Sequence, residues 1–321
     1  MNMLQRLFIV LLSLSMTGLA HAEPSYPNKP VKLLVGFAPG GATDLLARFY
    51  AKKLSEQFGQ TFIVENRPGG GGNTAIKALT QSAPDGYTLA MGANYIASNA
   101  ALNRNPYDWD KELTPLVMVA GTPNLLVVPA SSKINSVNDL IAAAKQPGAQ
   151  LTFGSAGMGT SIHLAGELFQ NMANVKMTHV PYKGVSPAEI DLVSGLVDMM
   201  FGSISTALPL VESKKLKAIA ITGPMRLKKY PDIPTISESG LNGFDVQAIY
   251  FMVAPAKTPV NIQQIIADTV DKISKQSETI AFLEGLYANP MYGGPTVTKA
   301  FLQSEFIKWQ KLVNATGLKV D

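Results

Sequence analysis

The chain contains no cysteine, only three histidines and two tryptophans, and Asp, Glu, Lys and Arg together make up just 16% of its 321 residues. Without cysteine there is no disulfide, so the fold must rest on its core. One of the three, His21, falls in the N-terminal segment expected to be cleaved, and the remaining His163 and His179 are too few for a multi-histidine metal centre. Charged residues fall below the roughly 25% usual in globular proteins, while hydrophobic residues reach 46%. That balance excludes a disordered chain and disfavours a heptad coiled coil. The formal charge of +4 comes from 27 basic and 23 acidic residues spread along the sequence. No Lys/Arg run has the density of a nucleic-acid-binding arm, so nucleic acid is not an expected partner. Length allows one large domain or two of ordinary size.

Long apolar runs are missing beyond the N-terminus. There, Met1–Ala22 reads as a secretory signal peptide. Arg6 supplies the positive start, the run from Leu7 to Met16 falls well short of the roughly 20 residues that span a bilayer, and Ala20-His21-Ala22 fits the small-x-small cleavage pattern. Cleavage removes Arg6, leaving 27 − 1 = 26 basic against 23 acidic residues. No lipid-attachment cysteine follows the signal. The mature chain is therefore expected to diffuse freely in a Gram-negative periplasm.

What is present alternates. Apolar runs rich in Val, Ile, Leu and Phe recur at Val31–Phe37, Thr61–Glu65, Tyr87–Ala93, Asn124–Pro129, Leu151–Gly154, Met177–Pro181, Val197–Phe201, Leu216–Thr222 and Ala248–Pro255. Helical periodicity lies between many of them: Thr43–Phe58, stopped by Gly59, and Ser136–Lys145, capped by Ser136. Ser186-Pro187-Ala188-Glu189 reads as a capping box with Pro at the first helical position. Further helices are expected from Thr258-Pro259 to about Lys275 and over Val297–Ala315. Strands alternating with helices give the fold class α/β, with largely parallel sheets covered on both faces.

Two turns carry the chemistry. A strand, a Gly-rich turn and a helix start recur at Val35-Gly36-Phe37-Ala38-Pro39-Gly40-Gly41-Ala42-Thr43-Asp44 and at Thr152-Phe153-Gly154-Ser155-Ala156-Gly157-Met158-Gly159-Thr160-Ser161, one copy per expected domain. Glycines let backbone N–H groups approach a ligand, and a helix N-terminus adds unpaired donors, so an anion can be held without Lys or Arg. Ordinary capped βα turns are the bland alternative. A third run, Gly69-Gly70-Gly71-Gly72, is too far from its strand for a dinucleotide turn and reads as a cleft-lining loop. None is a P-loop.

Catalytic constellations are missing. His163 and Glu167 are one helical turn apart, but without a third ligand they read as a helix-surface hydrogen bond. Gly184-Val185-Ser186-Pro187-Ala188 approaches a nucleophile elbow, yet is better explained as a helix cap. No nucleophile–base pair is evident. Asp44 either balances a helix dipole or recognises a ligand amine. Trp109 and Trp309 read as packing groups. Neither a cofactor nor a metal is called for.

In order and spacing, these motifs resemble the periplasmic receptors of tripartite tricarboxylate transporters, the TctC or Bug family. The carriers are Tyr26-Pro27-Asn28-Lys29-Pro30-Val31, the Phe37–Asp44 turn, Val64-Glu65-Asn66-Arg67-Pro68-Gly69, Pro84-Asp85-Gly86-Tyr87-Thr88-Leu89, the Gly154–Thr160 turn, His179-Val180-Pro181-Tyr182-Lys183-Gly184 and Ala254-Pro255-Ala256-Lys257-Thr258-Pro259. The resemblance implies a type II periplasmic-binding-protein fold. Lobe 1 would comprise 23–125 and 251–321, lobe 2 would comprise 126–250, and two crossover strands would join them, with the C-terminal helices on lobe 1. It places ligand carboxylates against Phe37, Ala38, Gly40, Gly41 and Thr43 on one side, where Asp44 is a further binding candidate, and against Ser155, Gly157, Thr160 and Ser161 on the other, where His163 either lines the site or orients its helix. Asn94, Ser98, Gly202 and Ser203 reach the cleft from strand ends, and Tyr95 and Tyr250 are bulky cleft candidates favouring a flat or aromatic acid. The expected partners are a small organic carboxylate and membrane permease subunits, for a monomeric protein that is not an enzyme. An amino-acid receptor using Asp44, a sensory receptor reporting to a membrane histidine kinase and an exported enzyme are the competing readings.

Overall fold

The computed structural model describes residues 26–316; the expected signal segment Met1–Ala22 lies outside them. In chain order the first half runs β1 (Val31–Val35), α1 (Ala42–Phe58), β2 (Phe62–Asn66), α2 (Asn73–Thr80), β3 (Thr88–Ala93), α3 (Tyr95–Ala101), the single turn α4 (Trp109–Glu112) and β4 (Leu113–Pro129). Then follow α5 (Val137–Ala144), β5 (Thr152–Ser155), α6 (Ser161–Ala173), β6 (Thr178–Pro181), α7 (Val185–Ser194), β7 (Met199–Ser203), α8 (Ile204–Glu212) and β8 (Leu216–Ile221). The chain closes with β9 (Gln247–Pro255), α9 (Val260–Ser274), α10 (Ser277–Gly285), β10 (Asn289–Pro290) and α11 (Pro295–Thr316).

Strand β4 organises the molecule. Its first part, Leu113–Pro123, pairs antiparallel with β9, which continues the sheet through β3 and β1 to β2. From Asn124 onward it pairs instead with β7 and β8, and β7 leads through β5 to β6. One strand thus serves two sheets, and the exchange falls between Pro123, opposite Gln247, and Asn124, opposite Ser203. Pairs β1–β2, β1–β3, β5–β6 and β5–β7 are parallel, as strand–helix alternation requires. Strand β4 is buried on both faces and reads as an almost continuous apolar run. Its onset is hidden from periodicity by Pro115, Gly121 and Pro123, which it absorbs through register shifts beside Pro115 and Met118.

Each sheet has its own core. Leu33, Leu46, Tyr50, Leu54, Phe251 and Val270 belong to the first, and Leu126, Phe153, Phe169 and Phe201 to the second. Helices α9 and α10 pack on the first core through Ile266, Val270 and Leu283. Helix α11 does not stay there as expected: it sets Leu302 in the first core and Trp309 in the second. The second connection between sheets is stapled to the first. The Thr222 hydroxyl accepts from Asn124 N at 2.7 Å and donates to Val246 O at 2.6 Å, while Thr222 N donates to Asn124 O at 3.0 Å.

The expected capping box at Ser186 is corrected. Helix α7 begins two residues earlier than a Pro187 start would place it, with Gly184 at its cap and no side-chain cap bond. Glu189 turns inward, 7% exposed, and accepts from the Thr206 hydroxyl. Helices α3, α8 and α10 were not anticipated. Pro209 inside α8 conceals it from propensity, although its first residues bury Ile204 and Ala207 against the second core.

Candidate functional site

At the end of β1 the chain turns through Gly36 and Gly40, and Gly40 takes φ +93°. Helix α1 then starts at Ala42 with Gly41 as an extended N-cap that offers no side-chain cap. The first amides of the helix have no intrahelical acceptor, so they stay available. Asp44 stands behind this turn. One oxygen accepts from Gly40 N at 3.0 Å and Arg48 Nε at 2.9 Å, and the other from Asn66 Nδ2 at 2.8 Å. Burial alone would raise its pKa, but the bonds from Arg48, Asn66 and Gly40 outweigh that and hold the carboxyl below its ordinary value. Asp44 shapes the turn, and its two oxygens are occupied by groups of the protein.

The second turn is built differently. Thr160 caps α6, its hydroxyl accepting from His163 N at 3.3 Å and donating to Gly157 O at 2.7 Å. His163 is 1% exposed and not on a helix surface as expected. Its Nδ1 accepts from Gly159 N at 3.1 Å, and Nε2 lies 3.5 Å from Glu167. Ser155 sits 2.5 Å from His179 Nε2, a nucleophile–base contact that the sequence reading did not find. Ser155 is fully buried, away from the cavity wall, and also accepts from Gly157 N at 3.0 Å. Burial, reinforced by His163 and Arg104, pushes His179 down to about 3, too low for a general base near neutral pH. The pair therefore knits β5 to β6. No group of three or more metal-ligating side chains occurs among the described residues.

Between the two turns lies a small, partly open cavity of about 50 Å³. Phe37, Gly41, Thr43, Asn94, Thr160, Ser161 and Ser203 line it, as do Tyr95 and Tyr250. The helix starts at Gly41–Thr43, Thr160–Ile162, Val185 and Ser203 all reach its wall, and none of the described lining residues carries a charge. Convergent helix N-termini make the space attractive to an anion without a formal cation. The wall also carries apolar groups, among them Ala93, Ala156, Val185 and Ala248.

The structure places the remaining candidates elsewhere, because their turns face the partner sheet's loops or their own core. Ala38 N donates to Lys183 O at 3.2 Å, and the Ser98 hydroxyl donates to Gly159 O. Gly40, Asp44, Ser155, Gly157, His163 and Gly202 lie outside the lining. Asn94 lines the cavity, yet its amide is engaged: Nδ2 donates to Gln247 O at 3.0 Å and Glu305 at 3.1 Å, and Oδ1 accepts from Ile249 N at 3.4 Å. Asn124 was not anticipated and is also at the wall.

The loops around the cavity form a seam. Ser186 donates to Pro39 O at 3.4 Å. A Cβ on Gly71 would stand 2.0 Å from Met158 O, and one on Gly159 would stand 2.0 Å from Asn99 Oδ1. The third glycine run thus closes against the second turn and does not line the cavity. Only glycine permits that approach at these positive φ angles.

Comparison with known proteins agrees with this geometry. The family described as tripartite tricarboxylate transporter family receptor matches residues 46–318. A protein of Pseudomonas sp. (strain P51), encoded in the tcbD-tcbE intergenic region, is 36% identical, the alignment covering 90% of this chain and 87% of that protein. The R. palustris protein Rpa4515, solved with adipate, superposes with a TM-score of 0.87 at 34% identity, over 91% of this chain and 98% of its own. MatC of Rhodopseudomonas palustris, solved with bound malate, gives 0.85 at 31% identity, over 90% and 100%. The fold is the two-sheet periplasmic-binding-protein architecture, and the chain belongs to the tripartite tricarboxylate transporter receptor family.

Proposed function

We propose that this protein is an exported periplasmic receptor that captures a small organic carboxylate and presents it to the membrane permease of a tripartite tricarboxylate transporter. The observation that carries the reading is a cavity ringed by helix starts, with no charged side chain among its described lining residues. Such a wall stabilises an anion by backbone donors and dipoles, and offers no nucleophile with a competent base. The adipate and malate complexes of the two R. palustris relatives support a carboxylate as cargo. Because both Asp44 oxygens are bound within the protein, a carboxylate without an amine fits better than an amino acid. Among the described residues no helix is long and apolar enough to cross a membrane.

Function follows from two-sided contact. Residues 23–125 with 251–321, and residues 126–250, act as two lobes hinged near the β4 exchange. The ligand docks on the α1 start and meets the α6, α7 and α8 starts when the seam closes. Contact energy available only in the closed form then selects that form, which the permease reads. A thermal-shift screen of the mature protein against di- and tricarboxylates, aromatic acids, amino acids and sugars tests the reading. A carboxylate at a hundred times its dissociation constant should raise the melting temperature by about 5 °C. A shift with sugars or cations and none with any carboxylate would overturn it.

A further inference from the structure

Among the polar side chains at the cavity wall, Asn94, Thr160 and Ser203 are engaged by protein groups. The Asn94 amide bonds Gln247, Ile249 and Glu305, and the Thr160 hydroxyl bonds Gly157 and His163 N. Tyr95 buries its hydroxyl without a hydrogen-bond partner among the described residues, but the phenolic end of its ring is set against Gly72. Asn124 is different. It is 1% exposed, and its Nδ2 is buried with no hydrogen-bond partner among the described residues. Both main-chain groups of Asn124 are bound by Thr222, so what it offers the cavity is its side chain. A buried N–H without an acceptor is costly, and native folds keep one where something else supplies the acceptor.

We propose that Asn124 is a specificity-determining residue whose amide donates to a carboxylate oxygen of the bound ligand, at the point where β4 passes from one sheet to the other. The inference rests on the carboxylate reading above. The backbone donors of the wall come from helix starts, whereas Asn124 offers a side-chain amide from the connection between the sheets, with Tyr250 on the neighbouring crossover strand. Its own N–H and C=O are stapled through Thr222 to Val246. A ligand oxygen held there is therefore fixed relative to both connections.

The test uses the full mature protein, the carboxylate giving the largest shift in the screen, and the variants Asn124→Ala and Asn124→Asp. Removing an unsatisfied buried donor should leave the melting temperature of ligand-free Asn124→Ala equal to or above wild type, while its affinity by titration calorimetry falls about tenfold or more. Asn124→Asp places a carboxyl where the ligand anion arrives. It should bind more weakly still at pH 7.5 and recover part of the loss at pH 5, as that carboxyl protonates. A merely structural asparagine would lower ligand-free stability and affinity together, which overturns the proposal, as does affinity within twofold of wild type in both variants. If the wild-type protein binds no carboxylate, the receptor reading itself fails, and this outcome is separate from any variant.

Discussion

Two side chains, half-buried His179 on β6 and buried Glu189 on α7, titrate in opposite senses, and their surroundings say why. His179 is held neutral down to about 3 by burial, against an ordinary 6.5. The unfolded chain takes up its proton first as pH falls, so the His179 contribution is present above about 6.5 and lost toward 3. Burial pushes Glu189 up to about 7 from an ordinary 4.5, with only the Thr206 hydroxyl favouring the charged form. Its contribution is present below about 4.5 and lost as pH rises through 7. Between about 4.5 and 6.5 the slopes oppose, each at most about 1.4 kcal/mol per pH unit. Relative to wild type, His179→Gln should lose stability as pH rises through that window, and Glu189→Gln should gain it, in urea unfolding at pH 4.5, 5.5 and 6.5. Variant curves parallel to wild type would refute the assignment. Neither group was legible as titrating this way, since burial of His179 against Phe153 and His163 depends on strands far apart in sequence. Thr43, Thr160 and Ser161 were legible because a glycine turn followed by a hydroxyl is a local signature. Asn124 was not, because a strand buried on both faces gives no alternation to say which side chain meets a cavity.

Among elements, the glycine loops separate two roles that look alike in sequence. Gly59 ends α1 at φ +66° with nothing within 4 Å of an added Cβ, whereas Gly71, at φ +62°, faces Met158 O across the seam. Alanine at either position should cost about 1 kcal/mol of ligand-free stability through backbone strain. Only Gly71→Ala should also weaken ligand binding, by tenfold or more, since closure brings its Cβ against a carbonyl. Calorimetric titration of both variants with the same carboxylate checks this, and equal losses of affinity would show that the seam plays no part in binding. The sequence marks both as turns. It does not say that one turn is punctuation and the other a contact surface, because that difference lies in the partner loop. Strand β4 teaches the same point: its C-terminal part was legible as Asn124–Pro129, while Pro115, Gly121 and Pro123 masked the rest.

For the whole molecule, two sheets share one continuous strand and a second connection that runs beside it, fastened beyond the β4–β9 ladder by Thr222. Thr222→Val keeps the shape but leaves Asn124 N and Val246 O without their hydroxyl partner, at about 2 kcal/mol or more. Small-angle scattering of this variant without ligand should show a larger radius of gyration than wild type, and saturating carboxylate should restore it. An unchanged radius would mean that Thr222 does not restrain the sheets. The α/β class was legible from the alternation of elements, while the strand order and the placement of α11 across both cores were not, its apolar face giving no sign of which core it meets. The seam has one further consequence. Ser98 with Gly159, Ala38 with Lys183 and Ser186 with Pro39 join the loops directly, through groups of the protein itself. A trap that latches onto itself admits its quarry only while the latch is undone, so the ceiling on how fast it fills is a clock set by its own loops, the same for every cargo however abundant.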